Sequence, residues 1–180
     1  MLQIFKLFIL IAVLSLLSSC CFHLRGENAL PCPLRTIYIK SSNPYGEFEH
    51  KLRKAFLASH ICVAPCQSHA LFSLDINHTT LSYIPSSVGT SSQATVYKVT
   101  YAVEIALTDC RGKMLMLPQT VKSSSIMIVN AQQALNSTNQ IDVLSDQLQR
   151  ETILKIFDIL TSPRVCEIVY QHENHIRATR

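Results

Sequence analysis

Residues 97 to 108 constrain this chain more tightly than any other stretch. Tyr97, Val99, Tyr101, Val103, Ile105 and Leu107 take the odd positions, and Lys98, Thr100, Ala102, Glu104, Ala106 and Thr108 take the even ones. A period of two held over that length puts every large apolar side chain on one face of a β-strand, whereas a helix would spread them around its axis. One face of this strand therefore has to be covered, and the other is left polar.

The segments around it supply the covering elements. Thr36–Ser41 alternates and is rich in β-branched residues, which predicts a short strand. Asn43-Pro44 resembles a helix start, with Asn as N-cap and Pro at the first helical position. Glu47 and Glu49 then precede Lys51, Arg53 and Lys54, the order that suits a helix dipole, and Phe48, Leu52, Ala55 and Phe56 form one apolar stripe. The spacing predicts a helix over 44–59. Phe72, Leu74 and Ile76 alternate with Ser73, Asp75 and Asn77, and this strand extends through Leu81 and Tyr83. Residues 85–93 are small and polar and read as a loop or hairpin tip. Asp109-Cys110-Arg111-Gly112 is a turn, and 114–128 is the returning strand, interrupted at Pro118, which implies an edge or a bulge.

Ser137-Thr138-Asn139-Gln140 matches a capping box, and Ile141, Leu144, Leu148, Ile156 and Ile159 line one side of a helix that reaches Leu160. Ser162-Pro163 stops it, and Gln171–Arg180 reads as a polar, frayed end. The order β-α-β-β-β-α predicts an α+β fold: one four-stranded mixed sheet with two helices packed on one face. If the first two strands are parallel neighbours, the crossover between them is right-handed.

The N-terminus carries an address. Lys6 is followed by the apolar run Leu7–Leu17, then Ser18, Ser19 and Cys20, with no acid before Glu27. That is the layout of an export signal. In a helix the run spans about 16 Å, half of a bilayer's hydrocarbon core, which is too short for a transmembrane anchor. Leu17-Ser18-Ser19-Cys20 resembles the bacterial lipobox, a branched apolar residue and two small ones before the Cys. The resemblance implies cleavage after residue 19 and diacylglycerol and N-acyl lipid on Cys20, several chains giving the stable anchorage that one does not. The position after the lipidated Cys holds Cys21 and not the Asp that favours inner-membrane retention, so the outer membrane is expected. The domains expected are a signal peptide at 1–19, a lipidated lead-in at 20–35, a single α+β domain at 36–165 and a polar C-terminal tail at 166–180.

With 180 residues, 48% hydrophobic and 16% charged, the chain is neither a disordered tail nor collagen-like, and four Gly leave no glycine-rich phosphate cradle. A formal charge of +4 falls short of a nucleic-acid-binding footprint. The sequence holds no Gly-x-Ser-x-Gly and no His-Glu-x-x-His. His172 and His175 fall in the expected tail and read as solvated; Glu104 reads as a solvated or paired carboxylate. His60-x-Cys62-x-x-x-Cys66-x-x-His69 carries four ligand-type side chains, but the spacing matches no standard structural zinc pattern and Pro65 stiffens its middle. It reads as free or disulfide-bonded cysteines in a surface loop. Cys21, Cys32, Cys62, Cys66, Cys110 and Cys166 allow many pairings, and sequence does not choose among them. Neither a metal nor a catalytic constellation is expected, which argues for binding or scaffolding.

Several short matches in fixed order carry a family resemblance. Cys21-Phe22-His23-Leu24-Arg25-Gly26 follows the lipidation site, then Leu30-Pro31 precedes Ile37-Tyr38-Ile39. Ser42-Asn43-Pro44-Tyr45-Gly46 leads into the helix with Leu52-Arg53, followed by Ile61-Cys62-Val63, Tyr97-Lys98-Val99, Gly112 and Ala134-Leu135. Over most of 20–160 the chain resembles the LptE family of lipopolysaccharide-assembly lipoproteins of Gram-negative outer membranes. It departs at Cys21, where the family usually has Gly, and in its cysteine content. The resemblance implies a non-enzymatic lipoprotein without cofactors beyond its acyl chains. It would be held at the outer membrane by its lipid, face the periplasm, and plug the lumen of the β-barrel protein LptD. There it would help the barrel assemble and deliver lipopolysaccharide to the outer leaflet. Lys122 falls where such proteins place a basic side chain on the fourth strand, and Lys98 on the adjacent polar face is the second lipopolysaccharide-binding candidate. The loop 85–93 would protrude toward the ligand or the barrel. The alternatives are a generic outer-membrane lipoprotein that binds another envelope protein or a cell-wall polymer, and a small secreted hydrolase.

Overall fold

In a computed structural model of the chain, the described residues are 30, 32–88, 94–130 and 137–178. The leader, Cys20 and Cys21, and loop positions 89–93 lie outside them. The elements are β1 (Thr36–Ser41), α1 (Glu47–Ala58), β2 (Cys62–Val63), β3 (Phe72–Val88), β4 (Ala94–Asp109), β5 (Met114–Asn130), α2 (Ser137–Leu160) and α3 (Pro163–Ala178). They form one five-stranded sheet in the order β2-β1-β3-β4-β5. β1 is parallel to both β2 and β3, whereas β3, β4 and β5 form an antiparallel meander. The fold is thus mixed α+β as expected, with five strands where four were expected and three helices where two were expected.

Both extra elements have a physical reason for escaping the sequence. β2 is two residues long, too short to show a period. α3 begins at Pro163, the residue that ends α2, because a missing N–H is tolerated at a first helical position. Among its described residues only Val165 and Val169, an i, i+4 pair, are buried along it, and apolar Ile168 and Tyr170 beside them blur the stripe. The helix runs across the expected boundary at 166, and residues 171–178, expected to fray, are helical.

α1 also starts later than expected, at Glu47. Asn43 instead closes a turn, its carbonyl accepting the Gly46 N–H at 3.0 Å, and Gly46 becomes the N-cap. A Cβ on Gly46 would press on the ends of the Glu49 and Asn43 side chains, which would have to shift to admit it. At its other end α1 closes in a Schellman motif. The Ile61 N–H reaches Phe56 O at 2.9 Å and the His60 N–H reaches Leu57 O at 3.1 Å, with His60 in the left-handed region at φ 58°. Ile61 and Phe56 are both buried, which supplies the apolar contact that accompanies such a cap.

The odd residues of β4 behave as the pattern predicts. Val99, Val103, Ile105 and Leu107 are buried with Phe72, Leu74 and Ile76 of β3 and Val121 and Met127 of β5. All three helices cover this one face, through Phe48, Leu52 and Phe56, through Leu148, Ile156, Phe157 and Leu160, and through Val165 and Val169. Phe56 meets Phe157 edge to face at 5.0 Å, and Phe48 lies 5.6 Å from Tyr101. The partly buried Lys51 ammonium joins α1 to α2, lying 2.5 Å from Asp146 and 2.9 Å from Gln149 Oε1. Burial pulls the Lys51 pKa down, but the hydrogen bonds it donates to Asp146 and Glu47 outweigh that and hold the pKa above its usual value.

Pro118 sits where the edge rule puts it. Ile105 faces Gln119 and Leu107 faces Met116, so Leu117 and Pro118 together oppose Ala106 in a bulge of the edge strand β5. Lys155 of α2 reaches over the same edge and donates to Lys122 O at 2.8 Å. At the β4–β5 turn, Gly112 takes φ 80°, and the Asp109 carboxylate accepts the Arg111 and Lys113 N–H groups at 2.8 and 2.7 Å.

Phe56→Ala removes a buried aromatic and its ring partner and is expected to cost about 3–5 kcal/mol in chemical denaturation. His60→Gly is expected to raise stability by about 1 kcal/mol, because it relieves the left-handed backbone without losing the cap. A loss of stability in that variant would contradict the capping assignment.

Candidate functional site

The strand register fixes where the two candidate lysines go. Lys122 pairs with Ala102, which pairs with Thr80; Lys98 lies between Ile84 and Ile126. All six belong to the face turned away from the helices, so both lysines share the outer face of the sheet and both are exposed. They are four residues apart along the strands and one strand apart across them, or about 14 Å between backbones. The row between them carries only the short polar side chains of Ser82, Thr100 and Ser124. Glu104, on the same face and one diagonal step from Lys122, accepts a hydrogen bond from Asn77 Nδ2 at 3.1 Å. Its carboxylate is therefore paired with an amide, the second of the two readings expected for it.

The far end of this face is apolar. Ile84, Ile126 and Ile128 are 57%, 68% and 61% exposed. Ile126 and Ile128 also line a groove of about 490 Å³, shared with Met127 and, on the first half of α2, Val143 and Leu144. Exposed isoleucines at strand ends around a lysine make a surface that is apolar and cationic at once. Such a surface matches a ligand with an anionic head and an apolar body. Sequence reasoning found the lysines and missed the isoleucines. The run Ile126-Met127-Ile128-Val129 is apolar at both parities, so its period-two signal is lost. The available signal was the phase inherited from Val121 and Ser123, which turns even-numbered residues outward. Of the expected loop 85–93, residues 85–88 continue β3 past a bulge between Pro85 and Ser87.

The cysteine and histidine expectations resolve separately. Cys62, Cys66, Cys110 and Cys166 are free thiols, and no group of three or more ligand-type side chains able to hold a metal occurs among the described residues. His60 caps α1, as described. Cys66 Sγ lies 3.1 Å from Ser68 Oγ and 2.7 Å from His69 Nδ1. The hydrogen bond from Ser68, then that from His69, pull the Cys66 thiol below its usual pKa. His172 is not solvated: its Nε2 lies 2.9 Å from Asp109 Oδ2, both side chains are largely buried, and the contact ties α3 to the β4–β5 turn. No described helix is long and apolar enough to cross a membrane.

The described residues thus form a sheet covered by helices on one face, with an open lysine-bearing face on the other. The lipopolysaccharide-assembly family LptE matches residues 34–160, and the chain belongs to that family. Its members act in lipopolysaccharide assembly, not in catalysis, and no cofactor is associated with them. The fold is similar to that of lipoprotein B from Nitrosomonas europaea, with a TM-score of 0.64 and 19% identity over 76% of this chain and 87% of that one. It is also similar to a minor lipoprotein from Acinetobacter baumannii (TM-score 0.52, 16% identity, covering 77% and 93%). A third similar structure is the rare lipoprotein B of Shewanella oneidensis (TM-score 0.50, 15% identity, covering 80% and 97%). A search of the curated proteins finds no match.

Cys66 is expected to react severalfold faster with iodoacetamide at neutral pH than Cys62, Cys110 or Cys166, as peptide mapping would show, and Ser68→Ala and His69→Ala should each remove part of that advantage. Equal rates at all four thiols would contradict the assignment.

Proposed function

We propose that this chain is an outer-membrane lipoprotein anchored through acylated Cys20. In this reading it occupies the lumen of the LptD barrel, helps that barrel assemble, and presents lipopolysaccharide on its outer sheet face. The observation that carries the reading is one open sheet face that holds Lys98 between the exposed Ile84 and Ile126, with Lys122 two rows further along the strands. Lipopolysaccharide has phosphates for the lysines and acyl chains for the isoleucines. Family membership supplies the pathway. A wedge with one polar, solvent-facing sheet surface also suits a wide, water-lined barrel interior. The chain's part is to bind, orient and scaffold; no bond in the cargo is made or broken.

Gentle detergent extraction followed by mass spectrometry is expected to recover the chain with a β-barrel partner, and its depletion is expected to reduce surface lipopolysaccharide. Recovery with a different envelope protein or with cell-wall polymer would favour the generic-lipoprotein alternative. Lys122→Glu is expected to weaken lipopolysaccharide capture about tenfold, as loss of one charge-assisted contact implies. Lys98→Glu should do less. Ile126→Ser should weaken capture in a way that added salt does not mimic, because its contribution is apolar. Unchanged capture in both lysine variants would retire the outer face as the ligand site.

A further inference from the structure

β1 has a neighbour on its β2 side for only part of its length. Thr36 pairs with Cys62 and Ile37 with Val63, and the Ala64 N–H donates to Ile37 O at 2.9 Å. Pro65 then has no N–H to give, and the pairing ends. On the opposite side β3 accompanies β1 all the way to Ser41. Backbone polar groups alternate sides along a strand. The N–H and C=O groups of Ile39 and Ser41 therefore point the same way as those of Ile37, toward the side that β2 vacates, and no described strand occupies it.

That open edge forms the floor of a groove of about 540 Å³. Arg53 and Leu57 of α1 form one wall, and Tyr38, Lys40 and Tyr45 complete it. Tyr45 is 96% exposed and Leu57 62%. Two cations and no carboxylate line the groove. The nearest acids lie outside the groove and have partners of their own: Asp75, which faces Lys40 across the β1–β3 pair, accepts from Ser73 Oγ at 2.8 Å and Thr108 Oγ1 at 3.3 Å, Glu49 is buried and accepts from Ser41 Oγ at 2.5 Å, and Glu47 pairs with Lys51.

We propose that this edge of β1 is a strand-addition site that takes an extended, acidic segment of another polypeptide in the place β2 gives up. An unpaired backbone edge selects an extended chain, since nothing else matches its alternating donors and acceptors. Lys40 and Arg53 select carboxylates on that chain. They also argue against a second copy of this protein, which would set Lys40 and Arg53 against themselves. The site lies toward the opposite edge of the sheet from the lysine–isoleucine patch and does not depend on the lipopolysaccharide reading.

Amide hydrogen exchange at Ile39 and Ser41, followed in the full mature chain, tests this. The probes are a seven-residue peptide alternating valine with glutamate and its counterpart with lysine for glutamate. The glutamate peptide is expected to slow exchange of both amides about tenfold, and the lysine peptide is expected to have no effect. Lys40→Glu, and separately the double variant K40E/R53E, should weaken the glutamate peptide and admit the lysine one. Four results would overturn the proposal. Protection already present in the isolated chain would mean that its own residues 21–29 cover the edge. Protection that grows with protein concentration would mean self-pairing. No slowing by either peptide would mean that Lys40 and Pro65 serve to keep the edge bare. Slowing that ignores peptide charge would remove the acidic partner.

Discussion

Everything in this molecule depends on the one-sided burial of the β3–β4–β5 meander. Val103, Ile105 and Leu107 are fully buried along a single strand, facing Leu74 of β3 and Val121 of β5. Burying each such side chain is worth about 1.5–3 kcal/mol, so a register slip of one residue, which would turn the whole set to solvent, is strongly excluded. The same constraint recruits the helices. α1, α2 and α3 have no other apolar surface to meet, and they converge on one face, where Phe56 and Phe157 lock edge to face. Among the described residues, the opposite face of the meander carries no helix.

The two edges of the sheet are treated differently. β5 is blunted by the Pro118 bulge and by Lys155 reaching over it to Lys122 O, devices that discourage pairing with another chain. On the other edge β2 lasts two residues and leaves the end of β1 uncovered. A chain that protects one edge and opens the other has a direction built into how it can meet partners. The outer face adds a second gradient, from Glu104 and Asn77 near the middle through the lysines to the isoleucines at the end. A ligand with an anionic head and an apolar body would therefore lie along the strands.

Much of this was legible in the residues. The β4 alternation, the limits of β1 and α2, the Pro118 bulge and the outward direction of Lys98 and Lys122 all follow from local period and turn chemistry. Local signals also pointed wrongly where two functions share one residue type. His172 looked solvated but ties α3 to Asp109, and nothing local marked His60 as the left-handed cap of α1. In the run Ile126-Met127-Ile128 all three look like core, but Ile126 and Ile128 are outward because the strand's phase, set at Val121, carries them there.

The sequence by itself determined the antiparallel meander and the face it buries, because hydrophobic period is a property of neighbouring residues and survives any rearrangement of distant ones. Only the tertiary structure decided that Pro163 starts a helix as well as ending one, and that two residues at 62–63 become a strand. It alone brought Lys98 between two isoleucines from different strands. Each of these depends on a partner distant in sequence: a two-residue strand exists only through the ladder it joins, and a surface patch only through the register that assembles it.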